Sequence, residues 1–203
     1  IQTTQPIRVR NEPVGSTNTI ITSMYQEHGV TPSPKMAGLM AAAILSDTVM
    51  FKSPTCTKKD IAMAERLARI ARISLKDLGR ELFSSTSDGK SAEELLGTDY
   101  KEFHISGQTI GVGQITCVDS SKLVERRDEF IAAMEKVKQN SNCDLVILMI
   151  TDVLLDGSHI FYVGSDDVMQ EAFSTVPKDK HMFLPKVMSR KKQVIPMLTT
   201  LWG

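Results

Sequence analysis

The sequence predicts an α/β protein made of two lobes, a mainly helical first lobe and a second lobe with a mixed sheet. Residues 35–71 carry two helical apolar patterns with no strand pattern between them. Residues 84–90, SSTSDGK, lack any large apolar group and are typical of a short linker. After this linker, strand patterns alternate with helical ones. We therefore expect domains at residues 1–83 and 91–203, joined by a linker at 84–90.

Helix start and stop signals define the first lobe. Residues 1–13 are expected to be extended, because residues 7–10 alternate apolar and basic side chains and Pro13 ends the run. A hydroxyl cap at residues 16–17 opens a helix that ends near Gly29, and residues 35–46 are apolar on every side, as in a buried helix. A serine or threonine followed three positions later by an acidic residue can cap a helix start. Three such pairs occur: Thr57 with Asp60, Ser74 with Asp77, and Ser91 with Glu94.

The second lobe is predicted from strands that alternate with helices. Strands are expected at residues 102–106, 109–117, 145–150, 158–163 and 182–184. Helices are expected after Ser91, at residues 121–139 and at residues 167–173. The six consecutive apolar residues at 145–150 indicate a strand that is buried on both faces of a parallel or mixed sheet.

Composition narrows the classes of function. The chain of 203 residues carries 24 lysines plus arginines and 24 aspartates plus glutamates, a formal net charge of zero. Nucleic-acid and membrane-surface proteins usually show a broad basic excess, so we expect neither partner. No apolar run approaches the roughly 18 residues that span a bilayer, and no secretory signal pattern opens the chain. Three scattered cysteines without a C-x-x-C spacing are typical of a reduced, cytoplasmic protein.

Asp47 ends the most apolar helical pattern, AAAILSDT. A carboxylate in this position either turns back to water as an ordinary helix-end residue or binds a metal ion. A hard divalent ion takes about six ligands, and no second acidic cluster lies close by in the sequence. The residue alone therefore leaves both interpretations open.

Residues 189–192, SRKK, place three consecutive cations between apolar flanks. An arginine can donate two parallel hydrogen bonds to phosphate oxygens, and a lysine adds a point charge. The segment suggests an anion site, although short basic runs near a chain end are more commonly solvated turns. Two weaker candidates are residues 15–17, GST, which either bind an anion or cap a helix, and Asp152, which either follows a strand into a site or makes a turn.

Three segments together resemble one family. They are EPVGST at residues 12–17, ILSDTVMFKSPTCT at 44–57 and SRKKQVIP at 189–196. Their order and spacing resemble those of the family II, manganese-dependent inorganic pyrophosphatases of the DHH phosphoesterase superfamily. The likeness covers essentially the whole chain. The middle segment combined with SRKKQ is quite specific, whereas EPVGST alone is not.

The resemblance implies a mainly helical remnant of the metal-binding DHH domain, followed by a smaller α/β domain with a mixed sheet. The active site would lie in the cleft between the lobes. Asp47 would be a metal ligand, and Arg190 and Lys191 would act in catalysis, binding the substrate phosphates together with Ser189. The implied cofactor is Mn²⁺, or else Co²⁺ or Mg²⁺, with most ligands outside this chain. The implied reaction is hydrolysis of pyrophosphate to two phosphates.

The chain also departs from the family pattern. The family's other metal ligands come from upstream motifs that end in D-H-H, and none of these occurs here. We therefore expect a downstream fragment that is inactive alone. A lysine of the family's linker region would fall at about Ser84 and is missing. Nucleotide-binding CBS domains inserted upstream would explain that departure and would imply regulation by adenine nucleotides.

Two other functions remain open from the sequence. One is hydrolysis of longer chains by an exopolyphosphatase-like member of the same superfamily. The other is a phosphate-binding or regulatory module without catalysis. The resemblance further implies a homodimer, with no nucleic-acid or membrane partner.

Overall fold

The computed structural model describes residue 4, residues 6–84 and residues 89–202. The chain divides into two compact units, Ile1–Gly79 and Arg80–Gly203. Residues 85–88 of the expected linker lie outside the described residues. The boundary at residues 84–90 therefore stays a prediction.

The described helices of the first unit are α1 Thr17–Glu27, α2 Pro34–Asp47 and α3 Lys58–Ala71. Helix α4, Leu75–Ser84, begins in the first unit and ends in the second. Ser16 caps α1 by accepting a hydrogen bond from the Asn18 N–H, and Thr57 forms with Asp60 the expected reciprocal cap of α3. No strand occurs at the described residues of 6–13, where an extended segment was expected. The helix starts predicted from capping residues are therefore confirmed for α1 and α3, where the cap and its hydrogen-bond partner lie within one helical turn.

The core of the first unit lies where α2 packs against α3. It consists of small and branched residues on facing sides of the two helices: Ala37, Met40, Ala41, Ile44, Ala64 and Leu67. The expectation that α2 is buried all round is wrong, because Met36 and Leu39 are 44% and 61% exposed. Since α1 and α3 pack against α2 from one side, its other side stays open over the first two turns.

The second unit is built around a five-stranded sheet in the order β1-β2-β3-β4-β5. Its strands are β1 Tyr100–Ile105, β2 Gln108–Cys117, β3 Leu145–Asp152, β4 Gly157–Val163 and β5 His181–Pro185. Only β2 and β3 pair in parallel, and the other neighbours are antiparallel. The sheet is therefore mixed, as expected, and each expected strand occurs with its ends shifted by two residues or fewer.

Helices cover both faces of this sheet. They are α5 Ala92–Thr98, α6 Ser121–Glu125, α7 Arg127–Asn140, α8 Asp166–Phe173 and α9 Ile195–Trp202. One face packs on α5 and α7, and the other on α8 and α9. All eight residues of β3 are buried because this central strand sends alternate side chains into both layers. The continuous apolar run at residues 145–150 is thereby explained.

One helix differs from the expectation. The pattern at residues 121–139 predicts a single helix, but the structure divides it into α6 and α7 at Arg126. The Arg126 N–H bonds the Leu123 carbonyl three residues back, which closes α6 in a tight turn, while its own carbonyl accepts the first α7 bond from Phe130. Apolar spacing alone carries no signal of this break, since Leu123 and Phe130 are both buried.

Candidate functional site

Asp47 is the last residue of α2, and its side chain is exposed. One carboxylate oxygen, Oδ2, accepts a hydrogen bond of 2.6 Å from the Ser16 hydroxyl. Ser16 itself is 2% exposed. The EPVGST and ILSDT segments therefore meet at this carboxylate, although about thirty residues separate them in the chain.

The backbone directly after Asp47 adopts a rare conformation. Val49, Met50 and Phe51 have φ values of 49°, 51° and 69°, which form a left-handed run without glycine. Such a conformation costs roughly 1–2 kcal/mol per residue. The buried Thr48 holds it, because its hydroxyl donates to the Ile44 carbonyl at 2.6 Å and accepts from the Phe51 N–H at 3.2 Å. Backbone strain of this kind concentrates at functional sites.

A second carboxylate in the first unit, that of Asp60, is wholly buried. It accepts hydrogen bonds from the Gly15 and Ser16 N–H groups, from the Thr19 hydroxyl, and from both the N–H and the hydroxyl of Thr57. Burial works against ionisation, but these hydrogen bonds outweigh it and hold the pKa of Asp60 below its usual value. The backbone N–H groups of Gly15 and Ser16 therefore bond Asp60, while the Ser16 hydroxyl caps α1, which supports the interpretation of GST as a cap.

Asp47 fits a metal ion as one ligand. Its carboxylate is exposed and is a hard oxygen donor, the type that Mn²⁺ and Mg²⁺ bind. Within residues 6–84 and 89–202, no group of three or more histidine, cysteine, aspartate or glutamate side chains could hold such an ion. The described residues therefore contain no complete ligand set for such an ion.

The basic segment forms an unusual turn. A π-helix spans Arg190–Val194 and runs directly into α9. The Ser189 hydroxyl accepts a hydrogen bond from the Lys192 N–H at the start of this turn. The Gln193 side chain accepts from the Met188 and Ser189 N–H groups, which fixes the approach to the turn. π-Helical turns are rare and occur frequently at functional sites.

Arg190 is buried in the second unit, with 7% of its side chain exposed. Its Nη1 donates to the carbonyls of Asp99 and Val112 at 2.7 and 2.9 Å, and its Nη2 donates to the Asp99 carboxylate at 2.8 Å. Lys191 is exposed. The two cations of the predicted phosphate pair thus differ, since one is fixed by the fold and the other extends from the surface.

Lys101 is a further cation beside Arg190 that the sequence analysis missed. Its Nζ lies 4.0 Å from the same Asp99 oxygen that binds Arg190. Asp99 and Arg190 are 91 positions apart in the sequence. The feature that could have indicated Lys101 is the register of β1 on β2, because Lys101 pairs with Val112, whose carbonyl also binds Arg190.

The weaker candidate Asp152 and two histidines of the second unit all have partners within the fold. Asp152 is 1% exposed and binds the Ser120 N–H and hydroxyl and the Leu155 N–H, so it organises two loops. His159 and His181 bond each other, with 2.8 Å between Nδ1 and Nε2.

In the described part of the chain, no helix is long and apolar enough to cross a membrane.

Comparisons with known proteins give consistent matches. Residues 80–201 match the DHHA2 domain. A manganese-dependent inorganic pyrophosphatase of Methanothrix thermoacetophila is 45% identical over 203 residues, covering 98% of this chain and 65% of that protein. A cobalt-dependent inorganic pyrophosphatase of Clostridium perfringens is 41% identical, covering 99% of this chain and 37% of that protein.

A solved structure from Methanococcus jannaschii, assigned to the family II inorganic pyrophosphatases, superposes with a TM-score of 0.81. It is 35% identical, and the match covers 100% of this chain and 69% of the other. The chain thus spans about two thirds of the length of the Methanothrix relative and a smaller share of the clostridial one.

Proposed function

Because the chain belongs to the family II inorganic pyrophosphatases, with a DHHA2 domain at residues 80–201, we propose that the protein hydrolyses inorganic pyrophosphate to two phosphates. One observation links this proposal to particular residues. Arg190 and Lys101 share the Asp99 carboxylate, and the exposed Lys191 follows Arg190 directly. Three cations gathered around one turn suit a small substrate with several negative charges.

The cationic side chains would act on the phosphoryl oxygens. Pyrophosphate repels an attacking oxygen because of its own charge, so hydrolysis depends on neutralising that charge. Arg190 would bind two phosphate oxygens and Lys191 would add a mobile point charge, with the Ser189 hydroxyl donating at the same turn. Since Arg190 is already fixed by three hydrogen bonds, it needs little reorganisation when substrate arrives.

The metal requirement would involve Asp47 in the first unit. Manganese, or cobalt as in the clostridial relative, supplies charge neutralisation and lowers the pKa of a bound water. Asp47 would hold the ion through the carboxylate that the Ser16 hydroxyl orients. The described residues give one ligand, so we expect the 203-residue chain alone to turn over little pyrophosphate.

Other parts of the proposal follow from family likeness. We expect a cytoplasmic homodimer, as well as regulation by adenine nucleotides if CBS domains lie upstream. The linker lysine of the family would fall at about Ser84, whose side chain lies outside the described residues. These expectations concern the complete protein.

The proposal is tested by turnover of the full-length protein with manganese, using pyrophosphate and polyphosphate in parallel. We expect pyrophosphate to be preferred, with Arg190→Ala lowering kcat/KM by about 100- to 1000-fold, as for loss of a donor to developing charge. Lys178→Ala removes an exposed cation of the same unit and should leave turnover unchanged. Preference for polyphosphate would contradict the substrate, and tight phosphate binding without any turnover would contradict the enzyme activity.

A further inference from the structure

Asp99 lies outside every motif that predicted the site, yet it contacts Arg190 through two different atoms. Its main-chain carbonyl accepts from Nη1 at 2.7 Å, and its carboxylate Oδ1 accepts from Nη2 at 2.8 Å. The same carbonyl also accepts the Gln114 N–H at 3.0 Å, which ties Asp99 to the end of the β2 ladder. The guanidinium is therefore held by a residue that is itself fixed to the sheet.

These contacts leave one edge of the guanidinium for a ligand. The group has five N–H donors in one plane. The carbonyls of Asp99 and Val112 engage both donors of Nη1, and the Asp99 carboxylate engages one donor of Nη2. Among the described residues no hydrogen bond from Nε or a second one from Nη2 is found, and in a planar guanidinium Nε and Nη2 carry parallel N–H groups along one edge. Parallel donors of this kind match two oxygens of one phosphate.

Charge also favours this arrangement. Arg190 has 7% of its side chain exposed, and a buried cation without a partner is strongly unfavourable. The Asp99 carboxylate lies 2.8 Å from the guanidinium and 4.0 Å from the Lys101 ammonium, so it moderates the repulsion between the two cations. With 48% of its own side chain exposed, Asp99 is at the boundary between the sheet and solvent.

The geometry points to Asp99 as a positioning residue for phosphate recognition. It holds Arg190 by the edge between the two Nη atoms, so that the Nε–Nη2 edge faces the phosphate, and it keeps Lys101 beside that edge. The inference rests on the proposed function and deepens it, since it assigns how the same cationic group is oriented. Asp99 acts through Arg190 and does not itself contact substrate.

The test is a double-mutant cycle in the full-length protein. We expect Asp99→Ala to lower kcat/KM for pyrophosphate by about 10- to 100-fold, because a small displacement of an oriented group has effects of that size. The same substitution made in an Arg190→Ala background should change kcat/KM by less than about 2-fold, since its effect passes through Arg190. Asp99→Asn keeps the Oδ1 acceptor and should recover most of the loss.

Glu102→Ala is the matched control, because it removes an exposed negative charge from β1, which directly follows Asp99, and should leave kcat/KM unchanged. Binding of inorganic phosphate, measured by calorimetry, should weaken in Asp99→Ala in parallel with turnover. If Asp99→Ala does not fold, the cycle is run with Asp99→Asn. A smaller loss of kcat/KM is then expected, and only in the protein that keeps Arg190.

Three results would overturn the inference. An equal effect of Asp99→Ala in both backgrounds would show a general structural role. No effect of Asp99→Ala in the protein that keeps Arg190 would show that the guanidinium needs no positioning. If Arg190→Ala alone leaves hydrolysis unchanged, Arg190 has no role in phosphate recognition and the inference fails while the proposed function stands. If the wild type itself does not hydrolyse pyrophosphate, the proposed function fails, so the two failures are distinguished.

Discussion

The turn after Asp47 and the turn at Arg190 present opposite charges and are built in opposite ways. Asp47 is exposed and its carboxylate accepts a hydrogen bond from Ser16, whereas Arg190 is buried and donates three hydrogen bonds. A carboxylate that binds a metal ion must keep lone pairs open, while a guanidinium that binds phosphate gains from being fixed in advance. The comparison teaches that a candidate metal ligand is recognised by carboxylate lone pairs that stay open. A candidate phosphate contact is recognised by N–H donors that the fold holds in one orientation.

A comparison inside the first unit supports the same lesson. Asp47 and Asp60 are both near the EPVGST segment, but Asp60 is wholly buried and accepts hydrogen bonds from four residues. Its lone pairs are used by the fold. Asp60 therefore organises the loop that carries Ser16, whereas the exposed carboxylate of Asp47 is the one that we propose as a metal ligand.

The largest expected effect concerns Asp47. Asp47→Asn in the full-length protein should lower manganese affinity by more than about 100-fold, since even residues that orient a metal ligand contribute about 10- to 100-fold. The Asn side chain can still accept the Ser16 hydrogen bond, so the melting temperature without metal should not change. Manganese binding followed by calorimetry checks this, and an unchanged affinity would remove Asp47 from the ligand set.

Asp60→Ala should destabilise the first unit by about 3–5 kcal/mol, because several buried donors lose their acceptor at once. Glu65→Ala removes an exposed carboxylate from the same helix and should change stability by less than about 0.5 kcal/mol. Urea unfolding measures both variants. Equal stabilities would mean that Asp60 does not organise this loop.

A third prediction uses pH to separate the two units. Burial lowers the pKa of His159 and of His181, and each ring is further shifted by its neighbours: Asp152 raises the pKa of His159, while His159 and Arg127 lower that of His181. The unfolded chain then binds protons more readily than the folded one. Stability of the second unit should therefore fall as pH drops below about 6.5, the ordinary histidine pKa.

Unfolding of the full protein between pH 8 and 5 tests this, followed by a probe in the second unit. His181→Gln should flatten the pH dependence, whereas His104→Gln changes an exposed imidazole and should leave it intact. A pH dependence that is the same in both variants would locate the proton uptake elsewhere.

The smallest expected effect is that of Lys101. With 64% of its side chain exposed, its ammonium is largely screened by solvent. Lys101→Ala should therefore raise KM for pyrophosphate by up to about 5-fold and leave the melting temperature unchanged. Steady-state kinetics at low and moderate salt measures this, and a KM unaffected at low salt would exclude Lys101 from the cationic group.

Local signals were readable from the sequence because their partners lie close in the chain. Thr57 with Asp60 and Ser91 with Glu94 form reciprocal caps across three residues, and both occur as expected. The run at residues 145–150 predicted its burial from the absence of alternation.

Features that depend on distant residues were not readable. The Asp99–Arg190 pair joins residues 91 positions apart, and the left-handed run at residues 49–51 uses side chains that prefer other conformations. The exposed side of α2 follows from which helices pack on it, as its composition gave no sign of an open face. The proposed site residues therefore rest on motifs and stay a prediction, while the contacts that they make could be seen only in the fold.

The most direct measurement is manganese affinity of the full-length protein with and without a non-hydrolysable pyrophosphate analogue, in the wild type and in Arg190→Ala. If Asp47 and Arg190 serve one reaction, the analogue should tighten manganese binding at least about 10-fold in the wild type. Arg190→Ala should abolish most of that coupling without changing manganese affinity in the absence of the analogue. Coupling that is equal in both proteins would contradict the proposal that Asp47 and Arg190 serve one reaction.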